Sequence, residues 1–129
     1  MAAVRWLRDS TAANVRVLTV KPGNFYYFAR RQTVFLPAAI SREPSRFSQV
    51  LRDQRVDYVV LTALTGTERR WLVRHAEAAC HELRVAARLA PDAWILSPRT
   101  EGGSPGADNA CAAVTEYEQA VQREWPQGR

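Results

Sequence analysis

Val56-Asp57-Tyr58-Val59-Val60-Leu61-Thr62 is a short apolar run rich in β-branched residues. Charged, helix-compatible sequence flanks it on both sides. Such a run suits a strand buried on both faces, at the centre of a parallel or mixed sheet. Helical periodicity precedes it over Pro44 to Arg55, where Phe47, Val50 and Leu51 fall at i, i+3, i+4. Arg46, Arg52, Asp53 and Arg55 take the opposite face. Pro44 suits the first turn, with Glu43 or Ser41 near the cap. A second helical pattern follows over Thr67 to Leu83, with Thr67 as its expected N-cap. Its inner face is Trp71, Leu72, His75, Ala78 and Ala79; Arg69, Arg70, Arg74 and Glu77 face water. This helix–strand–helix rhythm predicts an α/β fold, a three-layer Rossmann-like sandwich with a small mixed sheet and a terminal hairpin.

Working outward, Ala2 to Asp9 reads as a short helix, with Val4 and Leu7 on one face and Trp6 at its edge. Val15 to Val20 reads as a strand, and Gln32 to Leu36 as another, stopped by Pro37. Between them lie a turn signal, Lys21-Pro22-Gly23-Asn24, and the aromatic block Phe25 to Ala29, closed by Arg30 and Arg31. Leu83 to Leu89 and Ala93 to Leu96 form an antiparallel hairpin about the turn Ala90-Pro91-Asp92. Residues 1–97 make the α/β domain and 98–109 a Gly-rich loop. Residues 110–129 carry a C-terminal helix, Ala110 to Glu124, that packs on the same domain through Val114, Tyr117 and Val121, with Ala113 and Ala120 beside them.

The 129 residues are the size of one domain. No apolar run approaches the roughly 18 residues of a membrane span. The start lacks the apolar stretch of a signal peptide. The net charge is +5, from 18 Lys+Arg against 13 Asp+Glu. Lys21 is the single lysine, and the arginines are scattered. Without a basic arm or a basic helix with interleaved aromatics, no nucleic-acid partner is expected. Attraction to anionic lipid head groups fits the same charge. Two cysteines, Cys80 and Cys111, are too few for a disulfide scaffold and match no zinc spacing. They are either one disulfide or two buried thiols.

Lys21 to Asn24 stands where a first strand hands over to the next element, the end at which open α/β sheets bind ligands. The glycine patterns of dinucleotide and phosphate loops are missing. The segment is therefore either a plain turn or an anion contact. Tyr26 and Tyr27 either are core residues with one exposed edge or, with Arg30 and Arg31 beside them, stack on a sugar ring and hold its phosphate. Lys21, Asn24, Tyr27 and Arg31 are the candidate ligand-binding residues. His75 and His81, at i, i+6, fall on different faces of one helix and share no metal. Asp57, Asp53 and Glu43 are not paired by sequence into an acid/base couple. There is no Gly-x-Ser-x-Gly elbow. No catalytic residue, cofactor or metal is expected.

Four segments together resemble a known family. Ala3 to Thr11 resembles "A-x-W-L-R-x-x-T", and Val17 to Pro22 resembles "V-V-x-x-x-K-P". Phe25 to Arg31 resembles "x-L-Y-x-x-S-G-R-R", with Ala29 where Gly or Ser is commoner. Leu51 to Leu61 resembles "L-x-x-x-x-V-D-Y-V-V-L". This order, over roughly residues 2 to 62, is similar to the soluble C-terminal domain of bacterial polytopic glycosyltransferases of the GT-C class. Its relatives include protein mannosyltransferase-like and aminoarabinose transferase-like enzymes. Residues 98 to 129 have no counterpart in it.

The resemblance implies a non-catalytic accessory domain on the extracytoplasmic face of the bacterial cell membrane. Its partner would be the membrane portion of the same parent protein, which carries the catalytic acid and uses polyprenyl-phosphate sugars. The domain itself would contact glycan, acceptor or the polyprenyl-phosphate sugar. In that oxidising compartment a Cys80–Cys111 disulfide can persist. The alternative is a stand-alone cytoplasmic α/β module binding a nucleotide or phosphorylated small molecule at Lys21 to Asn24. A third reading is a protein-interaction domain that uses the Tyr26 to Arg31 surface.

Overall fold

The computed structural model describes residues 2–19, 32–34, 43–62, 66–89, 93–98 and 109–124. In chain order the elements are α1 (Ala2–Ser10), β1 (Arg16–Leu18), β2 (Gln32–Val34), α2 (Phe47–Asp53), β3 (Tyr58–Thr62), α3 (Gly66–Ala79), β4 (Leu83–Leu89), β5 (Ala93–Pro98) and α4 (Cys111–Glu124). One 3-10 turn, Pro44–Arg46, leads into α2, and another, Cys80–Glu82, follows α3. This is an α/β fold on a mixed five-stranded sheet of order β2-β1-β3-β5-β4. β1 is parallel to both β2 and β3; β5 is antiparallel to β3 and to β4.

The sheet is organised by β3, as its sequence requires. Val59, Val60 and Leu61 are all buried. Alternation sends Val59 and Leu61 to one face and Tyr58 and Val60 to the other. On the first face Leu18, Val34, Val59, Leu61, Trp94 and Leu96 meet Phe47 and Leu51 of α2, Leu72, Ala76 and Ala79 of α3, and Ala113, Val114 and Tyr117 of α4. On the second face Val17, Val60, Ala93 and Ile95 meet Ala3, Val4 and Leu7 of α1. Trp6 closes the margin of that contact edge-on to Tyr58, with ring centroids 5.4 Å apart. Each fully buried aliphatic side chain contributes about 1.5–3 kcal/mol. Both faces of β3 therefore carry stabilisation, as its unbroken apolar run requires.

One inner-face assignment and one cap assignment are corrected. Ala78 is exposed, and Ala76 takes the core position. Ala78 lies six residues beyond Leu72, about 120° round the helix, whereas Ala76 and Ala79 share the Leu72 face. Thr67 is the second residue of α3, so the N-cap falls before it, outside the described residues. Glu43 occupies the N-cap of the Pro44 turn but makes no side-chain cap bond.

Strand β4 carries an irregularity that alternation alone does not forecast. Its register with β5 shifts between Val85, opposite Leu96, and Ala87, opposite Ile95. The extra residue inverts the side-chain order. Leu83 and Val85 therefore join the α2–α4 face, while Ala87 and Leu89 join the α1 face. β4 is an edge strand, and its exposed Arg84 and Arg88 suit an edge that resists further pairing.

The end of α2 is a Schellman motif. Val56 N–H donates to the Leu51 carbonyl at 2.9 Å, and Arg55 N–H to the Arg52 carbonyl at 3.2 Å. Leu51 and Val56 pack together in the core. Arg55 holds the left-handed position with φ 53°. A side chain with a Cβ costs about 1 kcal/mol there, which glycine avoids. Arg55→Gly is therefore expected to raise stability by about 1 kcal/mol and the melting midpoint by about 4 °C. A thermal melt checks this; a lowered midpoint would mean that the Arg55 side chain does something the cap does not require.

Candidate functional site

Topology defines a switch point among the parallel strands. The chain leaves the carboxyl end of β1 toward β2 on one side. From the carboxyl end of β3 it leaves through α3 toward the hairpin on the other. Connections that diverge in this way open a crevice between neighbouring strand ends, the usual ligand position in open α/β sheets. Here the switch point falls between β1 and β3, whose register pairs Leu18 with Val59.

Two buried polar atoms border β1. Thr19, next to the carboxyl end of the strand, is buried, and its Oγ1 has no hydrogen-bond partner among the described residues; the same is true of Arg16 Nε at the amino end. Buried polar groups are normally paired, so these two atoms stand out among the described residues. The four candidate ligand residues, Lys21, Asn24, Tyr27 and Arg31, lie outside the described residues. Their flanks are placed. Thr19 closes the carboxyl edge two residues before Lys21, while Gln32, directly after Arg31, pairs with Arg16 at the amino edge. The segment therefore starts at one edge of the sheet and returns at the other.

The acidic residues near the central strand are structural where described. Asp57 accepts the Arg16 backbone N–H through Oδ2 at 2.8 Å, and its own N–H donates to the Arg16 carbonyl at 2.9 Å. These two hydrogen bonds, between residues 41 apart in sequence, tie together the amino ends of β1 and β3. Glu116 of α4 accepts Trp94 Nε1–H at 3.1 Å and pairs with Arg88 Nε at 3.3 Å through the same oxygen. Glu82 pairs with Arg52 at 3.9 Å and accepts the Ser48 hydroxyl. The Glu116 contacts hold α4 to the sheet, and the Glu82 contacts join α2 to the turn after α3.

A second cluster joins α3 to α4. Cys80, in the turn after α3, and Cys111, the first residue of α4, form a disulfide with Cα atoms 4.8 Å apart. The backbone around the bridge is tied down. Ala110 N–H is shared between the carbonyls of Cys80 and Leu83 at 3.1 and 2.9 Å, and Asn109 Oδ1 accepts Cys111 N–H at 3.0 Å. His81 is exposed beside the bridge; a ring nitrogen of His81 and the two sulfurs all lie within 4.8 Å of one another. His75 is elsewhere, fully buried edge-on to Phe47, with centroids 5.4 Å apart. The two histidines stay apart, as their spacing requires. The company of His81 and Cys111 was not legible, because 30 residues separate them along the chain; the adjacent Cys80-His81 pair is the one local hint.

No protein-family model matches this sequence, and no curated protein matches it. Among the described residues no helix is long and apolar enough to cross a membrane.

Proposed function

We propose that this chain is a non-catalytic extracytoplasmic accessory domain of a membrane glycosyltransferase that uses polyprenyl-phosphate sugars. Its own part is to hold sugar phosphate or glycan at the carboxyl edge of β1 and β3. The glycosyltransferase part rests on the four sequence segments quoted above. The observation that carries the compartment is the Cys80–Cys111 disulfide, a bond that persists outside reducing cytosol. Helices on both sheet faces support reading the fold as a three-layer, Rossmann-like sandwich. The diverging connections at the switch point, with a Thr19 hydroxyl that has no partner among the described residues, support a ligand crevice there. Lys21 and Asn24 follow that edge directly in sequence and supply charge and an amide to a phosphate or hydroxyl.

The same crevice favours a second reading, a cytoplasmic module for a nucleotide or phosphorylated small molecule. Amide chemical-shift titration separates the two. A water-soluble short-chain polyprenyl-phosphate sugar is expected to shift the amides of Thr19, Leu61 and Thr62, and Lys21→Ala to weaken that binding about tenfold. Preference for a nucleoside diphosphate lacking the polyprenyl chain would favour the second reading. No shift at millimolar ligand, or shifts confined to the α3–α4 end, would sink both. The isolated chain is expected to show no glycosyl transfer from polyprenyl-phosphate sugars; turnover above a heat-killed control would overturn the non-catalytic assignment.

A further inference from the structure

We infer that Cys80, His81 and Cys111 form a redox-gated zinc site: a disulfide when oxidised, a three-ligand Cys2His centre for Zn²⁺ when reduced. The inference does not use the four sequence segments behind the glycosyltransferase reading; it shares with that reading only the Cys80–Cys111 bridge, and its zinc-bound state needs a dithiol in the compartment. Two thiolates and an imidazole are the donor set that zinc takes in tetrahedral sites, with the fourth position left to water. The three donor atoms lie within 4.8 Å of one another. Tetrahedral bonds of about 2.3 Å to sulfur place two thiolates about 3.8 Å apart. Opening the bridge therefore needs the sulfurs to part by side-chain rotation and His81 to draw in. His81 is exposed and free of the core packing that fixes His75, so it can turn. The backbone that carries the sulfurs is held independently of them, by the Ala110 N–H shared between Cys80 and Leu83 and by the Asn109 cap. Cys111 opens a helix of 14 residues, where the amide dipoles favour a thiolate.

The chemistry balances with a dithiol as reductant. The dithiol gives two electrons and two protons to the Cys80–Cys111 bond and becomes a disulfide itself, leaving two protein thiols. Zn²⁺ then displaces both thiol protons to solvent, and neutral His81 supplies a nitrogen lone pair. The oxidised bridge has no thiolate to offer, so the same atoms bind the metal in one redox state only. In either state α4 stays fastened to the end of α3.

Co²⁺ is the probe for the reduced, intact chain. After reduction by a phosphine under argon, Co²⁺ is expected to give thiolate-to-cobalt charge transfer and the d–d bands of a tetrahedral site, saturating at one ion per chain. Zn²⁺ should bleach them, and the oxidised protein should give none. His81→Ala leaves both sulfurs in place and should weaken Co²⁺ binding about tenfold or more, since even groups behind a ligand are worth that much. Zn²⁺ should raise the melting midpoint of the reduced wild type but not of the oxidised protein. If reduction unfolds the chain, Zn²⁺ should restore its helical circular dichroism. The inference is overturned if reduced wild type gives no charge-transfer band, if His81→Ala binds Co²⁺ as the wild type does, or if Zn²⁺ neither stabilises nor refolds the reduced chain.

Discussion

Val59→Asp is expected to leave the protein unfolded. Val59 is completely buried, and it sits in β3 between Leu18 of β1 and Leu96 of β5. Helices α2 to α4 cover its side chain. The substitution removes an apolar group worth about 2 kcal/mol. It also places a carboxylate where no cation or donor has been provided, which costs several kcal/mol more whether the group stays charged or takes up a proton. Together these approach or exceed the roughly 5–15 kcal/mol that holds an ordinary domain together. Far-ultraviolet circular dichroism should lose the native signal, while Val59→Ala should retain it with a melt weakened by about 1–3 kcal/mol. A native-like melt of Val59→Asp would mean that β3 has an open face.

The second large effect is loss of the disulfide. Cys80 and Cys111 are 31 residues apart in sequence, and closing a loop of that size removes about 4 kcal/mol of chain entropy from the unfolded state. The bridge also anchors α4, whose Val114 and Tyr117 cover Trp94. The rings of Trp94 and Tyr117 meet edge-on at 5.4 Å. Replacing both cysteines with serine, measured with a chelator present so that no metal contributes, is expected to lower stability by about 3–4 kcal/mol. Near-ultraviolet circular dichroism, which reads the Trp94–Tyr117 pair, should weaken if α4 loosens first. Coincident denaturant melts of the bridged and serine forms would show that α4 is held by its apolar face alone.

Local sequence determined much of this protein. The run from Val56 to Thr62 required a strand covered twice, and that strand sits third of five in the sheet. Phe47, Val50 and Leu51 specified the buried face of α2 because three and four residues make a helical turn. Leu83–Leu89 and the return strand from Ala93 were legible as a hairpin, since antiparallel neighbours need only a short turn between them. In each case the information lies within about one turn of helix or a few residues of strand. The candidate binding residues were legible only as types in a suggestive order.

Tertiary structure decided what depends on partners far along the chain. It set β1 between β2 and β3 in parallel, and so located the switch point between β1 and β3. It made Asp57 a fastening for β1. It placed the β4 irregularity that turns Ala87 and Leu89 away from the face taken by Leu83 and Val85. It brought His81 beside the Cys80–Cys111 pair while sending His75 into the core. The physical reason is common to all four. Residue periodicity says which side of an element is apolar, but register and neighbour choice are fixed only when those apolar sides are buried against one another.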